Sequence, residues 1–202
     1  MGETSSISIN CSRFRLFEQN FTLIDCKFIV NMKPTQFINK QFIMYQISIQ
    51  NKKVDKIHGV FNLVVHIGVS GVAQELNLES QAFNDGYCSA DISGCLPEGN
   101  TCVQGSSECL VSSIDMRKVC ETVNQSLCGV ASCVSTDPGR YLCDYIFYTS
   151  LSIDRSRTAF IHVPVLDRPY TCQQLAQALK IAIGAMLQQV RENDIKETLN
   201  RI

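Results

Sequence analysis

The chain has 202 residues, 45% of them hydrophobic and 18% charged, with a formal net charge of −1, which is enough for one compact domain with a sizeable core. A near-neutral charge without a long basic run excludes an electrostatic footprint for nucleic acid or for an anionic membrane surface. No stretch reaches the roughly 20 consecutive apolar residues of a membrane span, and MGETSSISINCSRFRLF lacks the charged start and apolar core of a secretory signal, so a cytosolic protein is expected.

In chain order, residues 1–58 are rich in Phe, Ile, Met, Asn, Lys and Tyr and hold no amphipathic period beyond a few positions. They are expected to form a divergent or poorly ordered segment ahead of a single catalytic domain, 59–202. Residues 61–69, FNLVVHIGV, form a near-continuous apolar run closed by Ser70-Gly71, the pattern of a central parallel strand buried on both faces. A second short strand is expected over 72–78. Residues 80–111 mix Gly, Asn, Ser, Pro and Cys without a period and read as a long loop or insertion. In SSIDMRKVCETVNQSL, Ser112 or Ser113 offers a helix cap, and Met116, Val119, Val123 and Leu127 share one helical face.

The run GVASCV, 129–134, suits a short buried strand ended by Asp137-Pro138-Gly139. A helix follows in which Tyr141, Tyr145 and Tyr148 share a face by their spacing, with Cys143 and Phe147 off that stripe. TAFIHV, 158–163, is another strand, closed by Pro164. Thr171-Cys172-Gln173-Gln174 reads as a capping box, and the helix behind it places Leu175, Leu179, Ala182, Met186 and Val190 on one face. Alternating strands and helices from residue 61 onward predict an α/β fold, a three-layer α/β/α sandwich with a mostly parallel central sheet.

The eleven cysteines read as reduced thiols in a cytosolic protein, and their odd number excludes complete internal pairing. For the same reason the glycosylation patterns Asn20-Phe21-Thr22 and Asn124-Gln125-Ser126 are discounted. Cys88, Cys95, Cys102 and Cys109 recur every seven residues. Structural zinc sites pair ligands two to four apart, so these are read as scattered loop thiols.

Cys143 stands near a helix start, where free N–H groups and the positive dipole end would stabilise a thiolate. A thiol nucleophile needs a base, and three histidines are available. His66 lies within the most apolar strand, as a core imidazole does, and His58 falls in the unpatterned region. His162 sits at the C-terminal end of a strand, where sites collect in open α/β sheets, and is favoured on position. Glu79, Glu75, Asp144 or Asp137 would serve to orient the imidazole, and spacing alone does not choose among them. The G-x-S-x-G elbow of an α/β-hydrolase is excluded, because Tyr141 and Tyr145 occupy the positions that need small residues.

Three ordered segments, HIGVSGVAQELNLESQAFNDGY (66–87), DPGRYLCDYIFYTSL (137–151) and RTAFIHVPVL (157–166), resemble the glutamate, cysteine and histidine motifs of the pyroglutamyl peptidase I family in its animal form. The tail PYTCQQLAQALKIAIGAML resembles the family's last helix, so the likeness covers residues 62 to about 190. It implies an α/β/α cytosolic cysteine peptidase, without metal or cofactor, that removes N-terminal pyroglutamate from peptides, and a monomer is expected. By the same resemblance Cys143 is the nucleophile, His162 the general base and acid, and Glu79 the residue that orients the histidine. The family's opening Gly-Phe-Gly-Pro-Phe-Gly turn, which helps form the ring pocket, has no counterpart: Phe14-Arg15-Leu16-Phe17 keeps the aromatic spacing alone. The alternative is therefore a non-catalytic homologue of the same fold.

Overall fold

A computed structural model describes residues 28–38, 42–51, 63–91 and 94–201, the first two stretches by their strand pairing. Phe14 to Phe17, the pattern at Asn20 and His58 lie outside the described residues. The described residues form eight strands: β1 (Phe28–Ile38), β2 (Phe42–Asn51), β3 (Leu63–Val69), β4 (Leu76–Glu79), β5 (Gln81–Phe83), β6 (Cys109–Val111), β7 (Ser132–Ser135) and β8 (Thr158–Val163). Among the described residues three α-helices accompany them: α1 (Met116–Gln125), α2 (Leu142–Ile153) and α3 (Cys172–Leu199).

Six strands form the main sheet in the order β1-β2-β3-β8-β4-β7. In the four-stranded core the pairs β3/β8 and β4/β7 run parallel, joined by the antiparallel pair β8/β4. β1 and β2 extend the sheet antiparallel from β3, in a region whose sequence shows no strand period. The helices take opposite faces of the sheet, which gives the three layers expected of an α/β sandwich. Leu63, Val65, Ile67, Leu76, Leu78, Ala159 and Ile161 meet α1 and α3 in one buried cluster. Phe160 meets α2 residues Cys143, Phe147, Tyr148 and Leu151 in a second. Strand alternation separates the two: odd positions of β3 and β8 face the larger core, and even positions face α2. Two covered faces are why every residue of β8 is buried.

Several boundaries move from those expected. The second core strand starts at Leu76, where pairing with Ser132 begins, and Val72 is exposed. Asp115 caps α1, accepting from the N–H groups of Arg117 at 3.1 Å and Lys118 at 3.2 Å. Ser112 instead donates to the Thr158 carbonyl. Met116, Val119 and Val123 are buried as expected, whereas the helix ends before Leu127, which is exposed. The third core strand starts at Ser132 rather than at residue 129. In α2 the buried side is Cys143, Asp144, Phe147, Tyr148 and Leu151; of the spaced tyrosines, Tyr148 is buried and Tyr145 lies at the surface. The capping box of α3 is present, and all five positions named for its buried face are buried.

The described residues of the 80–111 stretch, 80–91 and 94–111, include two short strands. β5 and β6 pair antiparallel, and Ala82 and Leu110 pack into the α2 cluster. Asn84 holds Val103 from both sides, donating to its carbonyl at 2.9 Å and accepting from its N–H at 2.8 Å. The Tyr148 hydroxyl donates to the Ser107 carbonyl. Three-residue strands tied by side-chain bonds leave no period in the sequence, which is why it reads as a loop.

His66 joins β3 to α2 through a 2.7 Å hydrogen bond between its Nε2 and the Ser150 hydroxyl. Burial lowers its pKa from 6.5 to about 4, so the ring is neutral in the folded protein. Its stabilising contribution is complete above the unfolded value of 6.5 and is lost as pH falls toward 4. Asp144, raised to about 6 by burial, acts in the opposite sense over part of this window, so the effect is read as a difference between variants. Between neutral pH and about pH 4.5 the wild type should lose about 2 kcal/mol more unfolding free energy than His66→Gln, measured by urea denaturation. Equal acid sensitivity of the two proteins would contradict this account.

Candidate active site

The sheet register brings the expected residues together. Gly68 on β3 is the backbone partner of His162 on β8, and His162 is in turn the partner of Asn77 on β4. Glu79 lies opposite Phe160, two residues from His162. On a pleated sheet this makes Glu79 and His162 diagonal neighbours on one face, within reach of two long polar side chains. Glu79 Oε1 stands 2.8 Å from His162 Nδ1. Both groups are buried, at 1% and 7% exposure. Nδ1–H donates a hydrogen bond to the carboxylate, which sets the tautomer and leaves Nε2 as the basic nitrogen. The second carboxylate oxygen of Glu79 is buried without a hydrogen-bond partner among the described residues. The carboxylate is thus directed at the imidazole, where it would stabilise a positive ring.

Cys143 approaches the same point from α2. A methyl group built on Gly68 would lie 3.2 Å from Cys143 Sγ, 3.3 Å from His162 Cδ2 and 3.0 Å from Phe160 Cζ. The sulfur and the imidazole therefore both lie against Gly68, and a side chain there would press on both. Phe160 backs the site, its ring centroid 4.7 Å from that of His162. Sequence reasoning passed over Gly68. Its signal was a lone glycine inside a strand of valines and isoleucines, a mark of close approach.

The electrostatics of the thiol differ from expectation. Burial pushes the Cys143 thiol up to about 12, with the charges of Glu79 and Asp144 adding to the effect. The resting group is a neutral thiol rather than the dipole-stabilised thiolate expected from its place in the chain. The helix start still offers donors. The first backbone bond of α2 runs from the Tyr145 N–H to the Tyr141 carbonyl, and the side chain of the N-cap Tyr141 makes no capping bond. The N–H groups of Leu142, Cys143 and Asp144 precede that bond, at the positive end of the helix.

The other candidates go elsewhere. Glu75 lies beside Cys133, whose thiol is pushed up to about 11 by burial and by that carboxylate. Asp137 pairs with Arg140 at 2.7 Å. Asp144 turns toward Phe83 and Tyr87. His66 bonds Ser150. The cysteines of the described residues are free thiols, and no group of three or more metal-ligating side chains is assembled among them. Adding a side chain between thiol and imidazole should separate them. Gly68→Ala is expected to slow alkylation of Cys143 by iodoacetamide at least tenfold and to cost about 1–3 kcal/mol of stability. Unchanged alkylation would show that the two groups do not meet at Gly68.

The pyroglutamyl peptidase family model PgaPase_1 matches residues 23–167. The chain is 45% identical over 125 residues to pyroglutamyl-peptidase 1 of Rattus norvegicus, covering 62% of this chain and 60% of that protein. It is 42% identical over 134 residues to pyroglutamyl-peptidase 1 of Homo sapiens, covering 66% and 64%. The chain thus spans less than two thirds of the length of these curated relatives. Among solved structures, the pyrrolidone carboxyl peptidase from Thermococcus litoralis superposes with a TM-score of 0.60 at 18% identity, over 66% of this chain and 69% of that one. Pyroglutamyl peptidase I from Bacillus amyloliquefaciens does so with 0.56 at 22% identity, over the same shares. These two show the fold alone. With a family match over most of its length, laid on this α/β frame, the chain belongs to the pyroglutamyl peptidase family.

Proposed function

We propose that the chain is a cysteine peptidase that removes an N-terminal pyroglutamyl residue from peptides through a thioester acyl-enzyme, with Cys143 as nucleophile, His162 as general base and acid, and Glu79 as the residue that orients His162. The observation that carries the reading is the buried 2.8 Å bond between Glu79 and His162, on a face where Gly68 admits both the imidazole and the Cys143 sulfur. Because burial holds Cys143 as a thiol, proton transfer and attack go together. Nε2 of His162 takes the proton as Sγ bonds to the carbonyl carbon joining pyroglutamate to the next residue.

The N–H groups at the start of α2 receive the oxyanion. His162 returns the proton to the departing amine, and the C–N bond breaks to leave the thioester. Water then gives a proton to His162 and attacks the same carbon. The C–S bond breaks, free pyroglutamate leaves, and Cys143 recovers its proton. Glu79 holds the Nδ1 proton throughout and stabilises the imidazolium in each half-reaction.

The proposed catalytic unit is residues 59–202, acting as a monomer in the cytosol, with peptides as substrates and neither nucleic acid nor membrane as partner. Among the described residues no helix is long and apolar enough to cross a membrane. Purified protein should release the fluorophore from a pyroglutamyl-amide substrate. Cys143→Ser and His162→Ala are expected to lower kcat at least about 10³-fold, and Glu79→Gln about 10²- to 10⁴-fold with KM within a few-fold. A well-folded wild type without turnover would favour the non-catalytic homologue instead.

A further inference from the structure

Asp144, the residue after the nucleophile, is fully buried, yet the reaction described above does not use it. Its carboxylate accepts from the Phe83 backbone N–H at 3.0 Å and from the Tyr87 hydroxyl at 3.1 Å. Arg140 stands 3.5 Å from it and lies over the Phe83 ring, 3.7 Å from the centroid. The single Tyr87 hydroxyl proton is shared between the Asp144 carboxylate and the Phe83 carbonyl, 2.6 Å away. One carboxylate therefore ties the first turn of α2 to β5 and to the segment that follows it. A neutral amide would accept the same backbone bond without the charge.

We propose that Asp144 positions the nucleophile: its buried carboxylate clamps the first turn of α2 onto residues 83–87 and holds a negative charge on the residue next to Cys143, where it opposes a second negative charge on the sulfur. The catalytic part of this statement rests on the peptidase reading; the effect on the thiol does not. The ionisable groups around the carboxylate are Arg140 and Asp137 from the turn ahead of α2, Tyr87, Cys102 and Cys109 from the 80–111 segment, and Cys143 itself. Arg140 is the cation among them. Burial and neighbouring negative charge raise the tyrosine and the three thiols, so none of them adds a second anion near neutral pH. Asp144 itself titrates at about 6, its burial partly offset by the Phe83 N–H and Arg140, so its charge is present at neutral pH and lost in mild acid.

The test is alkylation of Cys143 by iodoacetamide in the full chain, from about pH 6 to about pH 10, followed by mass spectrometry of the Cys143 peptide so that the other thiols do not contribute. Asp144→Asn should alkylate about 3- to 10-fold faster than wild type at neutral pH, with its profile moved to lower pH, while kcat for a pyroglutamyl amide falls. Alkylation unchanged or slower in folded Asp144→Asn would overturn the proposal. Should that variant not fold, Asp144→Glu keeps the charge but displaces the clamp: slow, wild-type-like alkylation with a lowered kcat is expected, and faster alkylation or undiminished kcat would overturn it. A wild type without turnover whose Asp144→Asn variant still alkylates faster would contradict the peptidase reading and support the role of Asp144 on the thiol.

Discussion

The hydrogen bond between Glu79 and His162 is the constraint on which the rest of the arrangement depends. It joins adjacent antiparallel strands, β4 and β8, across a register that sets Glu79 opposite Phe160. A slip of one residue would send His162 into the apolar core under α1 and α3 and turn Ile161 toward the thiol. The register is held by apolar side chains on the opposite face: Leu76 and Leu78 on β4 and Ala159 and Ile161 on β8 are all fully buried against the helices. The same alternation that packs the core thus places a carboxylate, an imidazole and a phenylalanine toward α2. Core packing and site geometry are two readings of one register.

Burial then shapes the chemistry. Removing water strengthens the hold of Glu79 on the imidazole, but it also makes a free thiolate costly, and the nearby carboxylates push in the same direction. In the proposed mechanism the Cys143 sulfur therefore stays neutral at rest and becomes an anion only while its proton moves to His162, already oriented to receive it. A buried neutral thiol is also less open to oxidation than an exposed thiolate. The 80–111 segment contributes here too, since Ala82 and Leu110 pack against the buried side of α2, and Phe83 and Tyr87 bond the carboxylate next to Cys143.

Much of this is legible in the residues. TAFIHV has the bounds of β8, and the capping box and apolar face of α3 stand as its letters suggest, because each is a strong local signal that packing reinforces. Motif resemblance selected Glu79 where spacing left four carboxylates open, and the register explains why it is the one beside His162. What escaped the sequence is non-local. Gly68 matters through atoms on α2 and β8, far from it in the chain. Asp144 looked like a possible partner for the histidine, but its partners come from an excursion with no period of its own. The thiol's resting state followed from burial and two carboxylates rather than from the helix dipole at its own position.

The central claim is that the Cys143 sulfur, activated by His162, carries the acyl group. Its most direct test is to mix the protein with an activated pyroglutamyl ester, quench with acid within the first turnovers, and map the adduct by mass spectrometry. The account predicts one pyroglutamyl group in thioester linkage on the peptide containing Cys143, removed by hydroxylamine and absent in Cys143→Ser. Turnover with no adduct on Cys143, or with the acyl group carried by another cysteine, would contradict it.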